Sequence, residues 1–280
     1  MQVKSSPQDA RRAPPLIKWP GGKRALLDVI IPILPRQANN YFEPFLGGAA
    51  LFFALQPEGA TLSDTNEELI NLYVHVRDSP EKLIDLLKKY KNSEAAYYRV
   101  RSESPRGSIQ RAARFLYLIT LSFNGIHRVN LKGSFNVPYG RKIHLPTYEE
   151  DKIFGASRAL STSQLLVADF EVATRKARKG DLVYFDPPYT VAHAHNGFVK
   201  YNEKIFSWDD QVRLANHAAT LARRGCYVIV SNAYHRSIAA LYREFECLKV
   251  ERYSVIAASS AFRRKIREAL YYRTARLSAR

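Results

Sequence analysis

Cysteine is scarce: the chain holds two, Cys226 and Cys247, and no C-x-x-C pair. That count excludes a disulfide scaffold and leaves no zinc spacing. Both cysteines sit in apolar runs and are expected to be buried thiols in a reducing compartment. His193 and His195 form H-x-H with no cysteine nearby, so they are read as loop residues and no metal is expected. No apolar stretch approaches the ~20 residues of a membrane span. The opening "MQVKSSPQDARRAPP" has no apolar signal region and is expected to be a disordered arm over residues 1–15. Two nucleotide signatures are also missing. Nothing reads G-x-G-x-x-G, and nothing reads G-x-x-x-x-G-K followed by Ser or Thr. Acid is short relative to base, at 26 Asp and Glu against 43 Lys and Arg, a formal charge of +17. Such an excess favours a polyanionic partner, with nucleic acid first among them. Its distribution sharpens the expectation: residues 99–142 hold nine Lys and Arg and one acid, Glu103, and residues 261–280 hold seven and one, Glu268.

What is present is a core-forming sequence of 280 residues, 46% hydrophobic, long enough for one large domain or a core domain with an insertion. "IKWPGGK" makes a glycine loop, with a helix expected from about Lys23 to Ile33. "YFEP" reads as a short buried strand, "FLGG" as a tight turn, "AALFFAL" as a helix and "TLSD" as a strand, a βαβ unit. Strand–helix alternation then stops between about residues 68 and 158. That stretch reads as helices, with Ser79 and Ser108 as candidate caps and Pro80 suited to a first turn, followed by a hairpin in "RVNLKGSFNVPYGRK". Alternation resumes with "QLLVADF", "DLVYFDPPY", a helix capped by Ser207 and ended by Gly225, and the near-continuous apolar run "CYVIVSN", expected as a central strand. A final pair of strands, read as antiparallel, closes the chain. The expected organisation is an α/β core at 16–67 plus 159–280, interrupted by a mainly helical insertion at 68–158.

In open parallel sheets, ligands bind outside the carboxyl ends of the strands. Glu43, Asp64, Asp169 and Asp186 are all expected at such ends. Each one alone could be a turn-forming acid; four along one sheet edge are harder to set aside. A glycine turn followed by Asp64, 21 positions after Glu43, suits a nucleoside-containing cofactor whose ribose hydroxyls need an acceptor, without saying which. In "DPPY", two prolines stiffen the loop and remove two backbone donors. Asp186 and a backbone carbonyl would then be two acceptors at nearly fixed separation, and Tyr189 could stack on a flat ring. That is a receptor for an aromatic amine, adenine N6 or cytosine N4.

With those residues in view, the chain resembles the Dam-like DNA adenine-N6 methyltransferases, the D12 class in which the lysine–glycine motif comes first. The matching stretches are "IKWPGGK", "FEPFLGGAALFF", "SDTN", "FNGIHRVNLKGSFNVPYG", "YFDPPY" and "VIVSN", in the family's order across nearly the whole chain. The resemblance implies a Rossmann-like methyltransferase fold with a mostly parallel sheet and an inserted DNA-recognition domain. It implies S-adenosyl-L-methionine as cofactor, with Trp19 and Lys23 lining its site and Lys23 holding its carboxylate. Glu43, Pro44, Phe45, Gly47 and Gly48 would form the turn under its methionine portion, Asp64 would bind the ribose and Asp169 would lie beside its adenine. Asp186, Pro187 and Tyr189 would grip the target adenine, with Asp186 also near the cofactor. One departure stands out: Ala49 occupies the position of the turn's second glycine. Its methyl is expected to be tolerated, and cofactor affinity is the property it bears on.

The resemblance further implies base flipping from double-stranded DNA and direct in-line transfer. Phe123 or Ile126 would wedge into the gap, Asn124 would hold the orphaned partner and Arg128 would read a guanine bidentately, with a G-A-T-C-like target as the family's guess. Asn130, Lys132, Asn136 and Arg141 complete the expected DNA face. A cytoplasmic, bacterial or phage-encoded monomer would fit, with a cognate restriction endonuclease as a possible partner. Two readings stay open: an RNA adenine methyltransferase, and a non-catalytic DNA-binding protein on the same fold. Protein-glutamine methylation fits less well, because those enzymes usually carry Asn where Asp186 stands.

Overall fold

A computed structural model describes residues 14–130, 133–190, 206–253 and 265–273, without the side chains of 252–253 and 265–266. Lys132, His193, His195 and most of the two terminal segments lie outside the described residues.

The elements follow in chain order. Helix α1 (Leu27–Ile30) is flanked by 3-10 turns, and β1 (Tyr41–Glu43) leads to α2 (Ala50–Leu55) and β2 (Thr61–Asp64). Five helices come next: α3 (Glu67–Asp78), α4 (Pro80–Leu87), α5 (Glu94–Ser102), α6 (Ser108–Leu121) and α7 (Glu150–Leu160). Then come β3 (Gln164–Val167), α8 (Phe170–Thr174), β4 (Leu182–Phe185) and α9 (Trp208–Arg223). β5 (Tyr227–Ala233), α10 (Arg236–Leu241), β6 (Glu246–Tyr253) and β7 (Lys265–Arg273) complete the series.

The seven strands form one sheet in the order β3-β2-β1-β4-β5-β7-β6. β2, β1, β4 and β5 pair in parallel, and β7 runs antiparallel to both β5 and β6. This is the expected mostly parallel, Rossmann-like sheet, with "CYVIVSN" between two neighbours as its apolar run requires. Chain order reverses between β1 and β4, which pair through Tyr41↔Leu182 and Phe42↔Val183. A doubly wound sheet opens its binding crevice at such a reversal, outside the carboxyl ends of the strands. Glu43 ends one of these two strands, and Asp186 follows the other directly.

The chain divides into two compact units: residues 1–27, 47–58 and 64–167, and residues 28–46, 59–63 and 168–280. In the first, α3 buries Leu69, Ile70, Leu72, Tyr73 and Val76, and α6 is buried along most of its length. α4 buries the expected stripe Leu83, Ile84 and Leu87. In the second, Val183, Phe185, Val228 and Val230 pack with Leu214, Ala215, Ala218 and Leu221 of α9 in a dry core.

Several local expectations shift. The helix expected at 23–33 breaks into short 3-10 and α pieces, with Pro32 in the first turn of the last. Ser79 stands at a helix start without a side-chain capping bond, and Gly107, not Ser108, occupies the cap of α6. Ser207 caps α9 in a reciprocal box with Asp210. The 122–140 hairpin is held by two isolated bridges, Ser122↔Tyr139 and Val129↔Phe135, instead of extended strands. Asp169 does not end a strand: β3 stops at Val167 and Asp169 caps α8. Cys226 is buried as expected, whereas Cys247, in the strand at one end of the sheet order, is exposed; both thiols are free.

Candidate functional site

The first unit carries the glycine turn. Gly47 adopts φ +46, and a Cβ there would fall 2.8 Å from Cδ1 of Trp19. A Cβ on Gly48 would come 3.2 Å from the Cβ of Trp19. A side chain at Gly47 would run into the indole and one at Gly48 would press on the Trp19 Cβ, so the sequence "GG" builds a cradle against which Trp19 lies. The Asp64 carboxylate ties the turn down, accepting from Gly47 N at 3.1 Å and Asn66 N at 2.9 Å. Burial raises the Asp64 pKa, partly offset by those two N–H donors and the backbone of Thr65. The Tyr73 hydroxyl donates to the Gly47 carbonyl at 3.1 Å. Lys23 is buried, with its ammonium on the Gly21 carbonyl at 2.6 Å. Ala49 takes φ +54 and ψ +37, the left-handed region that costs an L-residue about 1–2 kcal/mol. The turn therefore takes a glycine-type backbone at an alanine.

The segment expected to meet DNA belongs to the same unit. Phe123 is 45% exposed in a 3-10 turn, while Ile126 is half-buried, so of the two expected wedges Phe123 is the one presented to solvent. Asn124 has a left-handed backbone, φ +56. Arg128 is exposed and donates from Nε to Asn136 Oδ1 at 2.9 Å, across the hairpin. Asn130 closes the hairpin, accepting at Oδ1 from Ser134 N at 3.0 Å. Arg141 is exposed with φ +52. Not all nine cations of the basic stretch face outward: Arg111 pairs with Glu67 and Glu68, and Arg114 donates to the carbonyls of Val100 and Arg101. His127, which the sequence did not single out, stacks on Trp19 with ring centroids 5.1 Å apart. Burial pushes its pKa down to about 4, so it is a neutral ring at ordinary pH.

The second unit carries the DPPY loop. Glu43 is buried on β1 and accepts from the Tyr41 hydroxyl at 2.7 Å. Phe45 stacks on Phe170 and meets Phe185 and Phe206 edge-on, anchoring the chain after Pro44. Pro187 is buried and Asp186 half-buried. The Tyr189 hydroxyl lies 3.0 Å from Ser231 Oγ and donates to Glu268 Oε2 at 3.1 Å. Burial first, then the charges of Asp186 and Glu268, holds that phenol well above its usual range. Tyr189 is therefore a fixed, neutral, flat ring. Asp169 spends its carboxylate on Glu171 N at 3.0 Å and Arg213 at 2.8 Å, and Arg213 lies over the Phe170 ring.

Four residues of this loop's surroundings were not found from sequence: Ser231, Glu268, Gln211 and Asn232. Gln211 left a trace there, as a polar residue on the apolar stripe of α9 with Leu214, Ala215, Ala218 and Leu221. Among the described residues no cluster of His, Cys, Asp and Glu could hold a metal ion, and no helix is long and apolar enough to cross a membrane.

Comparison with known proteins gives the family. Residues 19–256 match the family described as D12 class N6 adenine-specific DNA methyltransferase. Over 264 residues the chain is 40% identical to the type II methyltransferase M1.LlaDCHI of Lactococcus lactis subsp. cremoris, covering 91% of this chain and 93% of that protein. It is 34% identical to the type II methyltransferase M.MjaIII of Methanocaldococcus jannaschii, covering 84% and 90%. It is 32% identical to a DNA adenine methylase of Vibrio cholerae, covering 94% and 97%.

Proposed function

This chain belongs to the D12 class of N6 adenine-specific DNA methyltransferases, and on that footing we propose that it flips an adenine out of double-stranded DNA and methylates N6 directly from S-adenosyl-L-methionine. The observation that carries the reading is the position of Asp186: it follows β4 directly, at the chain reversal beside β1, in a loop whose Tyr189 is hydrogen-bonded from β5 and β7.

The residues present fit the cofactor. The Trp19-backed glycine turn is a cradle that a Cβ at Gly47 would fill. Buried Lys23 offers an ammonium suited to a carboxylate. Asp64 takes backbone donors from Asn66, Gly47 and Thr65, and a carboxylate has about four acceptor sites, which leaves capacity for a ribose hydroxyl. Bound there, S-adenosyl-L-methionine would supply an electrophilic methyl group on a sulfonium. Asp169 is assigned the rim near the cofactor's adenine; its bonds to Arg213 and Glu171 hold it in place.

Asp186 and the Pro187 carbonyl accept the two N6 hydrogens of the flipped adenine. That favours a tetrahedral nitrogen whose lone pair is free to attack. Tyr189 stacks on the base and recovers about 1–3 kcal/mol of the cost of extrusion. The scheme uses no enzyme nucleophile, and burial raises the Cys226 thiol to about 11. We assign DNA contact to residues 68–158, with Phe123 or Ile126 as wedge, Asn124 at the orphaned base, Arg128 at a guanine, and Asn130, Lys132, Asn136 and Arg141 around them. Exposed Phe123 and Arg128 support the assignment.

Two outcomes test this. Tritiated methyl groups from S-adenosyl-L-methionine should enter duplex DNA and be recovered, after digestion to nucleosides, as N6-methyladenine. Preferential labelling of structured RNA in competition, or of cytosine, would overturn the reading. In the cofactor cradle, Gly47→Ala should raise the cofactor dissociation constant at least tenfold in calorimetry, because left-handed strain of about 1–2 kcal/mol adds to the clash with Trp19. Ala49→Gly should bind at least as tightly as the parent, since it relieves the same kind of strain. Equal affinity of parent and Gly47→Ala would remove the turn from the cofactor site.

A further inference from the structure

A chain of buried amides runs from the backbone of β5 to the DPPY loop. Ala233 N donates to Asn232 Oδ1 at 2.8 Å, Asn232 Nδ2 donates to Gln211 Oε1 at 2.9 Å, and Gln211 Nε2 donates to the Pro188 carbonyl at 3.0 Å. Both side chains are fully buried. The polarity of this chain is fixed at its ends, since a backbone N–H only donates and a carbonyl only accepts. Neither amide can turn over without setting donor against donor or acceptor against acceptor.

The opposite face of the sheet holds the next residue of the loop. Ser231 pairs with Leu270, Asn232 with Ala269 and Ala233 with Glu268. Residues directly opposed across two strands share a face, and successive residues alternate. Ser231 and Glu268, which hold the Tyr189 hydroxyl, therefore lie on one face, and Asn232 lies on the other. Pro188 and Tyr189, consecutive in the chain, are anchored from opposite sides of the sheet.

We propose that Gln211, itself held by Asn232, is a positioning residue for methyl transfer. The ring of Pro188 fixes its φ. Gln211, by holding the Pro188 carbonyl, fixes its ψ. With both angles set, the Pro187 carbonyl and the Tyr189 ring keep one relative orientation, and the Pro188 carbonyl is committed to Gln211 instead of competing for the amine. Gln211 touches neither base nor cofactor in this scheme. It acts through the loop, and the inference rests on the reading of that loop as the base-gripping element.

The test uses the full chain and a duplex substrate. Gln211→Met keeps the volume and removes the donor. It should lower the single-turnover rate of methyl transfer by about 10–100-fold, the scale of a sub-ångström to 1 Å misplacement. Dissociation constants for cofactor and duplex should stay within about threefold of the parent. Gln211→Glu presents an acceptor to the Pro188 carbonyl when ionised and a donor when protonated. Burial raises a carboxyl pKa, so its activity relative to the parent should climb as pH falls from about 8 to about 5.5. A Gln211→Met protein that transfers at the parental rate would overturn the inference, as would a Gln211→Glu protein whose ratio to the parent is flat with pH. Should Gln211→Met fail to fold, the pH ratio of the Glu variant decides. Asp186→Ala separates the two levels: if it transfers normally, the base-gripping assignment itself fails, whereas an inactive Asp186→Ala beside an unimpaired Gln211→Met counts against the positioning role alone.

Discussion

Asp186→Ala is expected to reduce methyl transfer by at least a factor of about 10³ while cofactor and duplex still bind measurably. The N6 lone pair is delocalised into the purine ring, so the nitrogen attacks poorly until its two hydrogens are drawn to acceptors. In the proposed grip, Asp186 is one of the two acceptors and the only charged one. Loss of a single preorganised hydrogen-bonding group at a site of developing charge costs about 2.7–4 kcal/mol, or roughly 10²–10³ in rate. The developing positive charge on nitrogen adds the loss of a nearby anion. The charge of Asp186 is already felt locally: after burial, it is the next cause raising the phenols of Tyr184 and Tyr189. Binding should survive because Trp19, Lys23, the glycine turn and the basic segment are untouched. Single-turnover assays with tritiated cofactor, paired with calorimetry for cofactor and anisotropy for duplex, check both halves. A variant that keeps a tenth or more of the parental rate would remove Asp186 from the chemistry.

Arg128→Ala should relax sequence preference more than it weakens binding. A bidentate contact to guanine is worth about 1–3 kcal/mol of discrimination, which is roughly 5–150-fold between the preferred site and a one-base variant. Arg128 is exposed, and Asn136 holds its Nε edge at 2.9 Å, which presets the guanidinium before any base arrives. Nη2 also reaches the Asn136 carbonyl at 3.4 Å, so Asn136 takes the Nε–Nη2 edge and the outer N–H groups of Nη1 and Nη2 are assigned to the base. Asn136→Ala should therefore reproduce part of the relaxation by loosening Arg128. Arg128→Lys should not restore discrimination, since a point charge cannot form the fork. Methylation of a randomised duplex library, read by sequencing, gives the preference directly. Identical site selectivity in parent and Arg128→Ala would end the assignment.

The acids at the strand ends were readable because a parallel strand buried on both faces is a near-continuous apolar run, and the first polar residue after it marks where the strand leaves the sheet. "LVYF" followed by Asp186 and "YF" followed by Glu43 are such cases. Asp169 escaped the same rule because "QLLV" ends two residues earlier and the acid opens a helix. Cys247 looked buried in its apolar run, but β6 stands at one end of the sheet order and the thiol faces solvent. The left-handed backbone of Ala49 was signalled only by the resemblance, which puts a glycine at that position; alanine itself rarely adopts it.

By itself the sequence determined what acts through short range and composition: the apolar strands, the glycine turn, the stiff proline loop, the basic excess and the order of the motifs. These are properties of neighbouring residues, and local sterics and burial decide them. Tertiary structure alone decided what holds the proline loop. Gln211 reaches Pro188 across 23 positions, Ser231 reaches Tyr189 across 42 and Glu268 reaches it across 79. Contacts of that separation exist only after the sheet has assembled β4, β5 and β7 side by side, and no local pattern encodes which polar groups will then be close enough to pair.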